Sequence, residues 1–299
     1  MLWDTDELAA TLCDLSVPHE DINDVVRMNR RVADDPELRA AAERRLAVLV
    51  EDIGEIRGGA DLPDLDWPSG PMQRYFPLYV LLAALPAVRA HHRERGIPPE
   101  VTRRTLADTG RALAAHRRRY GTGGLMRPRW LTLHFRGELY QLGRLQFQRS
   151  RVGKWTGESA AATGLPLGPD APGLALHIPD SLGPLTPQAV DRSLELARAF
   201  FARHYPDERY QVATCGSWLL DPQLKRYLPD RSNIVRFQER FRISHLPAEP
   251  EDDAPIRYVF GTPDGDPRRL PRRTVLERAV VDHVRDGGHW YVPDGWLRL

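Results

Sequence analysis

Along the first 120 residues, apolar positions recur three or four apart, the period of an amphipathic helix, as at Leu38, Ala42, Leu46 and Leu49. Glycine signals that typically end helices follow these repeats. The pattern predicts four or five packed helices, including residues 21–34, 36–53, 77–95 and 98–120. The longest apolar run, residues 76–88, falls short of the roughly 20 residues that span a bilayer, so a buried core helix is expected there.

After Met126 the period changes to the alternation of a β-strand. Residues 130–135 (WLTLHF) alternate, and residues 139–148 (LYQLGRLQFQ) alternate with a shift at Gly143, which predicts a bulged hairpin. Residues 155–173 are small, Gly-rich and Pro-rich and predict a long loop or lid. Residues 256–262 (IRYVFGT) predict a further strand.

Residues 173–221 are typical of a strand, a helix and a second strand. The strands are expected over 174–178 and 210–218, and the helix over 187–204 with Thr186 as its N-cap. The loop between strand and helix either holds a phosphate on its amides, with the helix dipole, or is an ordinary connection. Further along, Ser232 caps a helix that leads into a strand near Ile243, residues 273–285 form a helix, and residues 289–299 are extended.

Composition narrows the range of partners. The chain has 299 residues, with 42 basic and 41 acidic side chains, so its net charge predicts no nucleic-acid or membrane partner. Forty of the basic residues are arginine, a bias typical of high-GC genomes. Cys13 and Cys215 fit no metal-ligand or disulfide spacing, so a cytoplasmic protein without a metal is expected. We predict a helical domain over 1–124 and an α+β domain over 125–299.

The order of elements after residue 130, with the segments IPDSLGPLTPQAVDRSL, SWLLDPQL and SNIVRFQERF, resembles the GNAT superfamily of N-acetyltransferases. The resemblance is strongest to actinobacterial acyltransferase-domain proteins that pair a helical N-terminal domain with a GNAT-like mixed β-sheet domain flanked by helices. It implies direct acyl transfer in a ternary complex, from acetyl-CoA or another coenzyme A thioester, or from an acyl carrier protein, to a small-molecule amine or hydroxyl.

The same resemblance implies where the donor binds. Its pantetheine arm would lie between a fourth strand, residues 174–178, and a fifth, residues 211–218, with its pyrophosphate on the loop 180–185. The implied donor-binding residues are Ile178, Ser181, Leu182, Gly183, Leu185 and Gly216. The sequence departs from the family's pyrophosphate motif, a Gln or Arg followed by Gly-x-Gly or Gly-x-Ala, because only Gly183 is present and Pro184 has no amide hydrogen.

Direct transfer needs a base, a donor to the developing oxyanion and an acid for the thiolate. Candidate bases are Glu138 beside the predicted hairpin turn and His134 on its first strand. Ser217 is a candidate donor to the thioester, and Tyr227 would match the tyrosine that protonates the thiolate in many GNAT enzymes. Cys215 either forms an acyl-enzyme or is a packed, inert thiol. The alternative functions are a non-catalytic ligand- or partner-binding module and a thioesterase or decarboxylase on the same scaffold.

Overall fold

A computed structural model describes residues 5–63, 65–66, 68–165, 167–168, 170–261 and 266–299. Contacts group the chain into a helical unit, Met1–Gln141, and a sheet unit, Leu142–Leu299. The helical unit contains α1 (Thr5–Asp14), α2 (His19–Asp34), α3 (Pro36–Val50), α4 (Pro71–Glu94), α5 (Pro99–Leu106), α6 (Asp108–Tyr120) and α7 (Pro128–Phe135). The helices predicted over 21–34, 36–53 and 77–95 are confirmed as α2, α3 and α4, although the described part of this unit contains seven helices and not the predicted four or five. The buried run 76–88 is confirmed and lies in α4.

The single helix predicted over residues 98–120 is wrong, because two helices, α5 and α6, meet at Ala107. The amide of Gly110 donates to the carbonyl of Leu15, at 3.1 Å, and this bond takes the place of the next rung of a continuous helix. A Cβ on Gly110 would lie 1.9 Å from the carbonyl oxygen of Ser16. A tertiary contact with the end of α1 therefore divides the predicted helix.

The strand predicted over residues 130–135 is also wrong, since these residues lie in α7. Pro128 begins the helix, and Leu131 and Phe135, one helical turn apart, are both fully buried. The intervening Thr132 and His134 are equally buried. The alternation of residue types therefore did not correspond to one buried and one exposed face.

The connection after α7 differs from the predicted bulged hairpin. Residues 139–148 contain two strands, β1 (Leu139–Leu142) and β2 (Leu145–Arg151), and Gly143 lies in the turn between them with φ of 71°. The shift in alternation at Gly143 thus marks a turn, and glycine suits this turn because it adopts a positive φ without steric cost. The predicted long loop 155–173 contains a helix, α8 (Lys154–Ala161); Pro166 and Pro169 lie outside the described residues.

The strands form a six-stranded mixed sheet with the order β1-β2-β3-β4-β6-β5, and all but β1 lie wholly in the sheet unit. Its remaining elements are β3 (Pro172–His177), α9 (Pro187–His204), β4 (Val212–Gly216), two short 3-10 helices (Trp218–Leu220 and Pro222–Arg226), α10 (Asn233–Gln238), β5 (Arg242–His245), α11 (Asp253–Phe260), α12 (Val275–Arg285) and β6 (Asp294–Arg298). The α+β class is confirmed. The predicted strand over residues 256–262 is wrong up to Gly261, because α11 occupies Ile256–Phe260; Thr262 lies outside the described residues.

The reason for α11 is visible in its packing. Ile256, Val259 and Phe260 lie three and four residues apart and belong to the same apolar cluster as Val280 of α12. Gly261 ends the helix in the left-handed conformation, with φ of 70°. Helical spacing was therefore present in a segment whose β-branched and aromatic residues favour a strand.

The predicted strand-helix-strand unit is confirmed. β3 and β4 are parallel, and α9 connects them with the predicted bounds. Thr186 Oγ1 accepts a hydrogen bond from the amide of Ala189 at 3.2 Å, as expected of an N-cap. The Ser232 cap of α10 is confirmed in the same way by its bond from Val235.

Candidate active site

The parallel strands β3 and β4 stop pairing with one another before either strand ends. Their parallel pairing comprises only Leu174 with Ala213 and Ala175 with Thr214. Beyond these pairs, β3 continues to His177 against β2, and β4 continues to Gly216 against β6. The carboxyl ends of the two central strands therefore each pair with their outer neighbour and not with one another. Ligands of open α/β sheets bind in crevices of this kind.

Register places a polar set of side chains on one face of this edge. His177 lies opposite Gln146, and Gly216 lies opposite Asp294. His177 Nε2 is 3.0 Å from the side-chain oxygen of Gln148, which fixes the imidazole ring. Because Ala175 pairs with both Gln148 and Thr214, these positions share a face with His177 and Gly216.

Asp294 lies directly over Gly216. A Cβ on Gly216 would be 2.8 Å from Asp294 Oδ1, so any larger residue would displace the carboxylate. Burial raises the pKa of the Asp294 carboxyl, and the nearby His245 acts in the opposite direction. His245 in turn stacks on the exposed ring of Trp155. We refer to His177, Gln146, Gln148, Thr214, Gly216 and Asp294 as the polar face.

The opposite face of the sheet is apolar. Leu174, Leu176, Ala213 and Cys215 are buried there. Burial, with a smaller contribution from Asp294, raises the pKa of the Cys215 thiol to about 12, so the thiol is protonated at neutral pH. Of the two sequence-based interpretations, this environment supports the packed, inert thiol.

The predicted phosphate loop follows β3. Ser181 and Gly183 are exposed, Ile178 and Leu182 are half-buried, and Leu185 is buried in the core. The carbonyl of Ile178 accepts a hydrogen bond from the hydroxyl of Tyr258, at 2.6 Å. A Cβ on Gly183 would meet nothing within 4 Å, so space is open beside that residue. The donor-binding roles of this loop stay predictions.

Arg144 joins this loop from the turn between β1 and β2. Its Nε donates to the carbonyl of Gly183 at 2.8 Å, and its backbone amide donates to Ser193 Oγ of α9 at 2.8 Å. Ser193 Oγ also donates to the carbonyl of Ala189, at 2.9 Å. The turn, the loop and the first turns of α9 are thus bonded to one another.

Ser217 and Tyr227 occupy separate hydrogen-bond networks within the sheet unit. Ser217 follows β4, and its Oγ accepts from the amide of Leu219 at 3.2 Å. The hydroxyl of Tyr227 is 2.9 Å from His283 Nδ1, and His283 Nε2 is 3.1 Å from the carbonyl of His289. Since a carbonyl only accepts, Nε2 of a neutral His283 carries the hydrogen, and Tyr227 donates to Nδ1.

His134 and Glu138 belong to the helical unit, where the structure corrects their predicted surroundings. His134 lies on α7 and is fully buried, 3.3 Å from Asp108. Burial lowers the pKa of His134, and Asp108 opposes that shift. Nδ1 of His134 lies 3.3 Å from the carbonyl of Trp130. This is the setting of an internal packing histidine, and the catalytic role stays a prediction.

Glu138 is also fully buried and is bonded on several sides. Its carboxylate accepts from the amides of Gly58 at 2.8 Å and of Arg57 and Gly59 at 3.2 Å, and Arg136 Nε lies 3.2 Å away. Arg136 is itself bonded to the carbonyl of Glu51 at 2.7 Å. The role of Glu138 as a base also stays a prediction, and the carboxylate oxygens already accept hydrogen bonds from these amides and from Arg136.

Sequence reasoning missed three groups at the strand ends: His177, Asp294 and Arg144. His177 continues the alternation of β3, so the sequence alone could have placed it beside the expected binding position between the fourth and fifth strands. Asp294 and Arg144 were not, since each reaches the site from a distant part of the chain through strand pairing.

Among the described residues, no group of three or more His, Cys, Asp or Glu side chains is arranged to hold a metal ion. Within the same ranges, no helix combines the length and apolar character needed to cross a bilayer.

Comparison with known proteins adds to this geometry. The family profile described as the N-acyltransferase N-terminal domain matches residues 6–137, and that of the GNAT-like C-terminal domain matches residues 139–297. No curated protein sequence matches significantly.

Among solved structures, an acyltransferase bound to decanoyl-CoA is 39% identical, with a TM-score of 0.87 over 100% of this chain and 89% of that chain. The complex with decanoyl-CoA and teicoplanin gives 39% identity and a TM-score of 0.88, over 100% and 90%. A tryptophan-to-alanine variant with octanoyl-CoA gives 38% identity and a TM-score of 0.88, over the same shares. The resemblance inferred from the sequence is confirmed: the chain belongs to the GNAT-type N-acyltransferases in which an N-acyltransferase N-terminal domain precedes a GNAT-like C-terminal domain.

Proposed function

We propose that this protein transfers a medium-length fatty acyl group from coenzyme A to an amine of a glycopeptide. The observation that carries the proposal is the break in pairing between the carboxyl ends of β3 and β4, with the polar face beside it. Its substrates are suggested by the whole-chain likeness to acyltransferases that bind decanoyl-CoA, octanoyl-CoA and teicoplanin.

The strand ends beyond the β3–β4 ladder fit the donor's chemistry. Pantetheine contains amide groups that can add to an exposed strand edge as a short extra strand does. The β3–β4 ladder consists of the pairs at Leu174 and Ala175, so Leu176 and His177 of β3 and Cys215 and Gly216 of β4 lie beyond it, on either side of a gap between the two strand ends that we call the slot. Gly183 and the exposed Ser181 leave open space at the end of the slot. The residues present therefore fit a coenzyme A thioester as co-substrate.

Transfer of the acyl group needs two proton movements. A C–N bond forms between the acceptor amine and the thioester carbon, and the C–S bond breaks; the new ammonium loses one proton, and the thiolate gains one. We assign the first proton to His177, because a neutral imidazole has a ring nitrogen that can accept a proton and this ring lies at the end of β3, oriented by Gln148. Asp294, with its raised pKa, is the comparison residue on the same face.

For the second proton, Tyr227 is the proposed donor. Its hydroxyl donates a hydrogen bond to His283 in the structure. We propose that this bond is replaced by a bond to the thiolate sulfur as the C–S bond of the thioester breaks. Ser217, which follows β4, has a hydroxyl hydrogen that its bond from Leu219 leaves unused. We propose that this hydrogen is donated to the thioester oxygen as negative charge develops there.

The identity of the carrier is a separate question. Coenzyme A is favoured over an acyl carrier protein, and a chain of eight to ten carbons over acetyl, because the solved relatives are complexes with decanoyl-CoA and octanoyl-CoA. We place the reaction in the cytoplasm, since neither of the two cysteines forms a disulfide.

The test is a matrix of acyl-CoA donors from two to twelve carbons against teicoplanin aglycones bearing free amines, read by mass spectrometry and free-thiol release. We expect one acyl group added, with decanoyl-CoA faster than acetyl-CoA. Thiol release without an acylated product would favour the hydrolase. Binding of acyl-CoA without either product would favour the non-catalytic module.

A further inference from the structure

Prolines remove some of the backbone donors that the loop after β3 could offer a phosphate. Pro179, Pro184 and Pro187 have no amide hydrogen. At the start of α9, the amides of Ala189 and Val190 already donate to Thr186, to its hydroxyl at 3.2 Å and its carbonyl at 3.0 Å. A helix N-terminus binds anions mainly through free amides, so α9 contributes little more than its dipole. A dianionic ligand at this loop needs a cation from elsewhere.

The sheet brings Arg144 to this position. In the β2–β3 register Gln146 lies opposite His177, so two residues earlier Arg144 lies beside the chain leaving β3. Within the described part of the chain, Nε of Arg144 donates to the Gly183 carbonyl at 2.8 Å, and this bond fixes the guanidinium against the loop. The hydroxyl of Ser193 anchors the backbone of the same residue.

The rest of the guanidinium has unused capacity. Nη1 of Arg144 is buried and has no hydrogen-bond partner in the described part of the chain. Burial lowers the pKa of Arg144, although Tyr258 and Asp180 oppose the shift. Leaving a buried cationic donor without a partner destabilises the protein, and a bound anion removes that cost.

We propose that Arg144 binds a phosphate group of the coenzyme A donor, supplying from the β1–β2 turn the charge that the loop sequence lacks. The proposal rests on the proposed use of coenzyme A. Guanidinium is suited to the task because its planar fork donates two parallel bonds to phosphate oxygens. A Cβ on Gly183 would meet nothing within 4 Å, so no side chain fills the space beside the residue whose carbonyl Arg144 contacts.

The experiment compares donors with and without phosphate. Decanoyl-CoA, decanoyl-3′-dephospho-CoA and decanoyl-pantetheine are given to the wild type, Arg144→Gln and Arg144→Lys, and the affinities of coenzyme A and pantetheine are measured by calorimetry. Arg209→Gln is the matched control, because Arg209 is exposed and precedes β4 at the opposite end of that strand. Thermal unfolding of each variant accompanies these measurements.

We expect Arg144→Gln to weaken coenzyme A binding and raise the KM for decanoyl-CoA at least ten-fold, with a smaller effect for Arg144→Lys. The KM for decanoyl-pantetheine should stay within two-fold. If dephospho-CoA responds as coenzyme A does, Arg144 contacts the pyrophosphate; if it responds as pantetheine does, the contact is with the 3′-phosphate. Arg209→Gln should change neither value.

Equal weakening for coenzyme A and pantetheine would overturn the phosphate contact, since the effect would then be structural. Unchanged coenzyme A affinity in both Arg144 variants would also overturn the phosphate contact. The proposed function would still hold in that case if the wild type transferred the acyl group. A wild type that binds no coenzyme A would overturn both. If Arg144→Gln fails to fold, the ratio of the two KM values in Arg144→Lys decides the outcome.

Discussion

Charged groups in the helical unit and at the strand ends of the sheet unit differ in what surrounds them. In the helical unit, Asp21, Asp108 and Glu138 are buried, and each is bonded to an arginine within its own unit. At the strand ends, Asp294 lies on the exposed edge and Arg144 carries a buried donor without a partner in the described chain. Groups of the first kind stabilise the fold, and groups of the second kind are available to a substrate.

The largest effect is expected at the polar face. His177→Gln removes the proposed proton acceptor and should lower kcat by 10²-fold to 10⁴-fold, since a positioned base contributes about that much. Asp294→Asn is compared in the same assay. A loss in Asp294→Asn that exceeds the loss in His177→Gln would transfer the base role to Asp294, and wild-type rates in both would remove the polar face from the proton transfer.

The second prediction concerns stability in the helical unit. Glu138→Gln leaves Arg136 without its carboxylate and turns an amide group toward the amides of Gly58 and Gly59, so we expect a loss of about 3–5 kcal/mol in the free energy of unfolding. The control is Asp61→Asn, whose pair with Arg129 is exposed and should be worth less than about 1 kcal/mol. Urea unfolding measures both.

A folded Glu138→Gln protein with a ten-fold or larger loss of kcat would instead support the sequence-based prediction that Glu138 is the base. A folded Glu138→Gln protein with native kcat would contradict the prediction that Glu138 is the base, and would favour the groups at the strand ends for that role.

The third prediction uses pH. Burial, with a smaller contribution from His91, lowers the pKa of His92 from 6.5 to about 3 in the folded protein. Below pH 6.5 the unfolded chain therefore binds a proton that the folded chain excludes, and stability falls with acid. Between pH 7 and pH 5 this group should account for about 2 kcal/mol. His92→Gln should flatten the profile by that amount, and the exposed His19→Gln should not.

The fourth prediction concerns two hydroxyl groups of the sheet unit, that of Ser217, which follows β4, and that of Tyr227, which is bonded to His283. Ser217→Ala should lower kcat about ten-fold, equivalent to roughly 1.4 kcal/mol, if its hydroxyl acts in the transition state. Tyr227→Phe should lower kcat by a similar factor, because the thiolate loses its proposed proton donor. Ser217→Thr keeps a hydroxyl and serves as the control. Native kcat in both Ser217→Ala and Tyr227→Phe would exclude these hydroxyls from the mechanism.

The smallest effect is expected on the apolar face of the sheet. With its pKa raised to about 12, Cys215 should react slowly with iodoacetamide at pH 8, and the exposed Cys13 should react readily. Cys215→Ala should retain kcat within two-fold. Loss of activity in that variant, with an acylated cysteine trapped in the wild type, would show an acyl-enzyme and contradict direct attack.

Local signals predicted the strand-helix-strand unit well. Thr186 and Pro187 specify the start of α9, and its apolar stripe fits burial against a sheet, so its bounds needed no distant information. The failures were segments whose neighbours decided their structure. Residues 130–135 alternate in type, but residues 131–135 of α7 are all buried, and 98–120 is divided because Gly110 bonds to Leu15.

The candidate site divides in the same way. The slot beside 174–178 followed from the family resemblance, and the pairing of β3 and β4 agrees with it. The predicted bases were chosen as neighbours of a hairpin that does not form at residues 130–135, so their surroundings differ from those expected. A titratable residue acts through its exposure and partners, which spacing alone does not give.

What the sequence by itself determined is the helical first part, the α+β second part, the strand-helix-strand unit and the absence of the usual Gly-rich phosphate motif. These depend on residues close together in the chain. Only the tertiary structure decided that Glu138 is enclosed by amides, that Asp294 covers Gly216, and that Arg144 reaches the loop after β3. Strand pairing joins residues separated by tens of positions, and no local pattern records that geometry.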